Sequence, residues 1–553
     1  MDILYTENIF FYLYVYSCTM RKYFLSIVVI VCGVSVTTIY RNRNENLTAK
    51  VFSIAKNIQE YTFGKPEITV NKAIITDFFK KYPEIKKYQY HVNAVYKKRN
   101  YKSIWYEDNR IIDLASMLYA KVNQLEEDGI DSKFPCQDKI EGILDTKSIT
   151  ANPSETDTEL LLSSMYVFYA KKVFFGIDNE KIRKIGWFLP RKNNSYDSVL
   201  DSLLADPNSL NEDNKNMLGQ YYKLRGFLKI YRQIEKNGNW NHIATDTAVK
   251  LYKPNDSSKT IGQIRQRLNV TGDLKQDSKS NVYDNELMVG VLKYKKRNGY
   301  QPNYLITNWQ VQRMNLPIQK YIQAITVNME RCRWMDPELT NANESIFINI
   351  PAFQLVYTKN GHTELESSLL VGKNISETVV FSSYVTSIVF SPYWNIPQSI
   401  VENELTQAVF GDKDYLAKHN MESTKEKVRQ KPGGKNPMGL VKFMFPNPND
   451  IYLHDTPSKS LFEFNYRALS HGCINMDKGK ELAQLLLKND PEWSVERITD
   501  AMKGEKETTY MLKNKVSIYI GYFTTCVDDK GDIHFYEDIY DKDEKLAAMI
   551  AEE

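Results

Sequence analysis

Apolar and polar positions follow two different periods along this chain, and the change falls near residue 343. From about 51 to 245, apolar residues recur at helical spacing, most plainly in 113–125 and 159–170, while Asn152-Pro153 and Asp206-Pro207 mark loops. A short second unit, 250–310, carries a helical piece around Ile261, Ile264 and Leu268, then a helix-like run at 287–299 closed by Gly299. A helix beginning near Pro317 occupies the connection 313–342. Asn328, Glu330, Arg331 and Arg333 on it suit ion pairs between helix and domain better than chemistry. Beyond 343 the pattern shortens to strands at 346–350, 365–371, 379–384, 387–390, 440–445 and 451–453, separated by Asn and Gly turns. Between 400 and 439 the strands stop, and a polar, partly helical stretch ends in Lys431-Pro432-Gly433-Gly434-Lys435. An insertion of that length inside a sheet is as a rule functional or mobile. The order of elements predicts an α+β chain, helical first and β-rich from 343 to about 540.

The N-terminal 1–45 breaks this pattern. Met20-Arg21-Lys22 precedes an uncharged, mostly apolar run at 24–40, closed by Arg41 and Arg43. Its length lies between a signal-peptide core and a short membrane anchor, and basic residues at both ends leave its orientation open. Translation from Met20 would give a cleaner leader. Val31 before Cys32 makes a poor lipidation site.

At 553 residues the chain is too long for one core. Its 72 basic and 68 acidic residues nearly balance, giving no reason to expect a nucleic-acid partner. The Gly-Gly-Lys piece lacks P-loop spacing. Of six cysteines, Cys18 and Cys32 lie in the leader; the others form no CxxC pair and no metal-ligand spacing, so neither a metal nor a cofactor is expected.

The chemistry concentrates at 451–476, where Cys473 stands beside two of only seven histidines. A thiol near its reference pKa of about 8.5 needs an imidazole or aimed N–H groups to become a nucleophile at neutral pH. Cys473 follows Ser470-His471-Gly472, and His454 ends the apolar run Ile451-Tyr452-Leu453. A strand delivering His454 and a tight glycine turn delivering Cys473 would bring base and nucleophile together.

His454, fifteen intervening residues and then Ser470-His471-Gly472-Cys473-Ile474-Asn475 resemble the signature of the L,D-transpeptidase family, whose catalytic domain is of the YkuD type. The stretches 436–446, 453–457 and 467–473, with 328–334, 348–353, 371–373 and 392–397 upstream, are similar to the large, multidomain branch of that family. Two departures stand out: Asn475 replaces the branch's usual Arg, and Thr378-Val379 replaces Thr-Pro.

This resemblance implies a helical scaffold at 51–245, a peptidoglycan-binding-like module at 250–310 and a connecting helix at 313–342. It also implies a two-sheet catalytic domain at 343–540 with 400–439 as a capping lid. On a blander reading the module is only a structural insert. Cys473 would be the nucleophile and His454 the general acid/base. The Asp455 carbonyl would fix the imidazole tautomer, or its carboxylate would act as a structural cap. Gly472 and its neighbours would offer N–H groups to the oxyanion. His471 would either polarise the pocket or make a structural hydrogen bond. Arg467, Ser470, Asn475 and Tyr452 would contact substrate, Arg467 by gripping a stem-peptide carboxylate unless it only braces the loop. Tyr393 and Trp394 would line a groove or, more simply, pack in the core. The implied activity is formation of peptidoglycan cross-links between third residues of stem peptides through a cysteine acyl-enzyme, with release of D-alanine. Partners would be tetrapeptide donors, carbapenems as covalent inhibitors, and the membrane through the N-terminal segment, in the periplasm. An L,D-carboxypeptidase and a non-catalytic wall-binding scaffold are the alternatives.

Overall fold

In the computed structural model the described residues are 68–552, apart from 109, 145–152, 192–193, 212–216, 247, 338–341, 397, 399–400, 406–413 and 425–426. The leader at 1–45 lies outside the described residues.

The helical part is organised around α1 (Glu155–Ala170), capped by Ser154, whose hydroxyl accepts the Asp157 N–H at 3.1 Å. From Thr158 to Ala170 every residue is buried, which is why its apolar positions surround the helix instead of forming a stripe. The segment Glu155–Lys184 is apolar and long enough to cross a membrane by composition, yet most of it is packed inside the molecule. Its one buried acid, Glu159, accepts hydrogen bonds from Tyr96, Ser103 and the N–H groups of Ile104 and Trp105, so no polar group is stranded. The helix α2 (Gly219–Lys236) follows.

The small module packs α3 (Lys259–Val270) on α4 (Asn285–Arg297) around its own core of Ile261, Ile264, Leu268, Leu287, Val291 and Tyr294. Arg265, fully buried, is held by Asp284 at 2.7 Å and Glu286 at 2.9 Å. The module rests on the β-rich unit: the Gln301 N–H donates to the Asn465 side chain at 2.7 Å, and the Gln301 amide donates to the Phe462 carbonyl at 3.1 Å.

The connecting helix α5 (Ile318–Trp334) behaves as a strut. Arg333 donates to Glu330 at 2.7 Å and to the Asp128 carbonyl at 2.6 Å, while Arg331 pairs with Asp543 at 2.7 Å. Asn328 exchanges hydrogen bonds with Thr524. These contacts weld the helical part to the β-rich part, and one continuous apolar core runs through both.

Nine strands build the main sheet: β1 (Glu344–Asn349), β2 (Gln354–Lys359), β3 (His362–Gly372), β4 (Phe381–Phe390), β5 (Val441–Met444), β6 (Leu453–His454), β7 (Ala468–Ser470), β8 (Ile474–Met476) and β9 (Thr508–Gly521). Their order is β7-β3-β8-β6-β5-β4-β9-β1-β2, and β2 also pairs with β3. The eight strands other than β7 therefore form a closed hydrogen-bonded circuit, because β3 changes partner along its length: Thr363–Ser368 faces β2, whereas Leu369 and Leu370 face β8. β3 thus joins the two ends of this strand order.

The 400–439 insertion is partly helical, at Val401–Leu405 and Tyr415–Lys418, and it also holds a hairpin, Met421–Ser423 with Val428–Gln430, whose second strand pairs with Trp394–Asn395. Arg429 links the hairpin by pairing with Glu422 at 2.6 Å and stacking over the Tyr393 ring at 3.9 Å. Tyr393 is consequently half-buried beneath a cation and not a core residue.

Candidate active site

The short strand β6 runs parallel to β8 with Leu453 opposite Ile474 and His454 opposite Asn475. Successive strand residues point to opposite faces. Leu453 and Ile474 are fully buried in the core, so Tyr452, His454, Cys473 and Asn475 share the other face. On the neighbouring strand Lys442 lies opposite His454 and joins the same face.

His454 is buried and its Nδ1–H donates to the Asp455 carbonyl at 2.6 Å, which leaves Nε2 as the unprotonated, basic nitrogen. Burial, with help from Lys442, lowers the imidazole to about 4, against the pull of the Asp455 carbonyl. The Asp455 carboxylate is engaged elsewhere, accepting the Leu440 N–H at 3.0 Å and pairing with Lys459 at 2.7 Å. Gly439, at φ +62°, permits that approach, because a Cβ there would stand 2.4 Å from the Asp455 carboxylate and 2.6 Å from its backbone.

Cys473 is half-buried and its sulfur lies 3.9 Å from the Asp450 carbonyl. Burial pushes its thiol up; the backbone N–H and phenol of Tyr452 and the charge of Lys442 pull it down, and the net position is above the ordinary value. Among the described residues no hydrogen bond links the sulfur to His454. Catalytic contacts of this kind commonly tighten only on substrate binding. Cys136 and Cys526 are pushed up to about 12, chiefly by burial, so they are poor nucleophiles.

In the turn before Cys473, Gly472 adopts φ +109°, a conformation that favours glycine, and its N–H donates to the Ser470 hydroxyl at 3.2 Å. Ser470 in turn donates to the Cys473 carbonyl at 2.5 Å, so its hydroxyl closes the turn. Among the described residues the N–H of Cys473 itself has no acceptor, which leaves it as the available oxyanion donor. His471 is exposed and makes no hydrogen bond among them. Arg467 braces its loop: its guanidinium donates to the Phe464 carbonyl at 2.9 Å and lies 5.1 Å from the Phe353 ring centre. Its Nε is nevertheless buried without a partner among the described residues.

A model of the L,D-transpeptidase catalytic domain, YkuD, matches residues 343–496. This part of the chain is an L,D-transpeptidase catalytic domain. A scaffold-domain model matches 90–228. A Haemophilus influenzae protein named "Putative L,D-transpeptidase" is 31% identical over 245 residues, which are 40% of this chain and 49% of that protein. The chain therefore spans about half the length of this curated relative. Among solved structures, an L,D-transpeptidase from Mycobacterium smegmatis is 13% identical, covering 32% of this chain and 59% of that one at a TM-score of 0.19. One from Stackebrandtia nassauensis is 12% identical, covering 50% and 98% at a TM-score of 0.22.

Within the catalytic domain, sequence reasoning passed over three residues that hold the site. Thr378, noted only as a departure from Thr-Pro, accepts the Gly372 N–H at 2.9 Å and donates to the Gly472 carbonyl at 2.9 Å, so it fixes the cysteine turn. Tyr540 donates to the Gly372 carbonyl at 2.6 Å and accepts the Thr378 N–H at 3.1 Å, from a position distant in sequence that carried no signal. Lys442 carried one: it is the charge in an otherwise apolar strand, directly opposite the candidate base. Among the described residues no group of three or more His, Cys, Asp or Glu converges as a metal site.

Proposed function

We propose that the protein is a peptidoglycan L,D-transpeptidase using Cys473 as nucleophile and His454 as general acid/base. The observation that carries this reading is the parallel register of β6 on β8, which gives Cys473 and His454 one face while the Asp455 carbonyl fixes the tautomer. In the first half-reaction the Cys473 proton passes to His454 Nε2 and the sulfur attacks the carbonyl carbon of the third stem residue, meso-diaminopimelate. The oxyanion meets the N–H of Cys473. Collapse breaks the C–N bond, and the imidazolium, a strong acid given its low pKa, protonates the departing D-alanine amine. An acceptor amine then gives its proton to His454, attacks the thioester and restores the thiol. No cofactor enters either step. Asn475, on the reacting face, is the side chain we assign to the donor, while Arg467 braces the loop before the cysteine turn.

Defined tetrapeptide muropeptides incubated with the purified protein should give free D-alanine and a dimer linked between third residues, read by mass spectrometry. Tripeptide with D-alanine and no dimer would make water the acceptor and the protein an L,D-carboxypeptidase. Neither product would leave only a wall-binding scaffold.

A wall substrate requires export, so we place the chain in the periplasm, held or delivered by 24–40. A reporter that functions only outside the cytoplasm, fused after residue 50, should be active. Activity of a cytoplasm-only reporter at the same position would overturn this placement.

A further inference from the structure

The mechanism above leaves one charged group on the reacting face without a task. Lys442 projects from β5 opposite His454, and its Nζ lies 3.7 Å from the centre of the Tyr452 ring. Tyr452 shares that face with Cys473, and its phenol and backbone N–H draw the thiol downward. Among the described residues no carboxylate stands within ion-pair distance of Lys442. The Tyr452 ring attracts the half-buried ammonium and fixes its position beside the thiol, with no acid in an ion pair to draw it away.

We propose that Lys442 is a further positioning residue for the transfer reaction: seated on Tyr452, it holds the phenol against Cys473 and supplies the positive charge that the thiolate faces. This rests on the assignment of Cys473 as nucleophile. The other titratable groups around it are His454 and Tyr452 on β6, Cys473 beside β8, Asp450 in the turn before β6, and Glu507 just before β9. Glu507 is occupied in accepting the Tyr393 N–H at 2.9 Å. Asp450 opposes the effect on the thiol, and the charge of Lys442 acts against it. Burial draws the Lys442 ammonium below its ordinary value, and Glu507 together with the Cys473 thiolate pushes back, as expected of a cation whose counter-charge is the nucleophile itself.

The test reads the sulfur directly and uses no peptide substrate. The rate of alkylation by iodoacetamide is followed against pH in the full chain for wild type, Lys442→Met and Lys442→Arg, with adducts assigned to Cys473 by mass spectrometry. Loss of the charge should move the midpoint upward by about one pH unit, slowing alkylation roughly tenfold at pH 7. Lys442→Arg should restore most of the rate. Superimposable profiles for wild type and Lys442→Met, or an arginine variant no better than the methionine one, would overturn the proposal. Should Lys442→Met fail to fold, Tyr452→Phe keeps the ring beneath the cation and removes the phenol. An upward midpoint shift there supports the relay, and an unchanged midpoint overturns it. The muropeptide assay is separate: a protein that makes no cross-links but shows the Lys442-dependent thiol would sink the transpeptidase reading and leave this one standing.

Discussion

Replacing Cys473 by alanine should abolish acyl-enzyme formation altogether. The reason is the contrast among the thiols. Cys473 is half-buried, with Tyr452 and Lys442 drawing its pKa down against burial. Cys332 is fully buried inside α5 and driven far upward, and Cys136 donates to Glu84 at 3.2 Å. Single alanine variants at 136, 332 and 526 should therefore retain chemistry. A carbapenem gives the clearest readout, because opening of its ring by a sulfur nucleophile leaves a stable adduct. Intact-protein mass spectrometry should show one adduct mapping to Cys473, lost in Cys473→Ala. An adduct on a serine, or turnover remaining in the alanine variant, would mean that the nucleophile has been misassigned.

His454→Ala should cost about 10²–10⁴-fold in rate, the usual range for a positioned acid/base. The pH dependence separates this role from simple packing. Because burial holds the imidazole at about 4, the base stays unprotonated through the mildly acidic range, and the acid limb of the rate profile should fall near pH 4 instead of about 6.5. Stability responds over the same interval. Between pH 6.5 and 4 the unfolded chain takes up a proton at this position that the native state does not. Native stability thus declines as pH falls through that window and ceases to change from this source below it. An acid limb near 6.5 in wild type, or a variant slowed less than tenfold, would remove His454 from the mechanism.

The residues that carry the chemistry were legible because they are local. A glycine at φ +109° between histidine and cysteine writes itself into four consecutive letters. The register that brings His454 to them was not legible, since β6 is two residues long and is held by pairing with β5 and β8. The hydrogen bonds inside the turn were not legible either. A hydroxyl two residues before a glycine N–H satisfies the backbone first, so Ser470 and Gly472 consume each other's polar groups. The α+β order was readable from the change of period, but β2, β7, β8 and β9 were missed. In β9 the run Lys513-Asn514-Lys515 interrupts the alternation where the register against β4 shifts between Met511 and Val516. The hairpin of the insertion was hidden for another reason: its strands are three residues each and depend on Arg429 reaching Glu422 and Tyr393.

The place of β9 sets when the reacting face can exist at all. It is the last strand of the main sheet in sequence, yet it lies between β4 and β1, pairing along most of its length with one and in parallel with the other. Until residues 508–521 arrive, the circuit is open at its middle and two strand edges stand unpaired. A ribosome or translocation pore releasing the chain from its N-terminus therefore delivers Cys473 well before the strand that closes the circuit around it. A product clipped before 508 would carry the signature residues without the strand that closes the circuit.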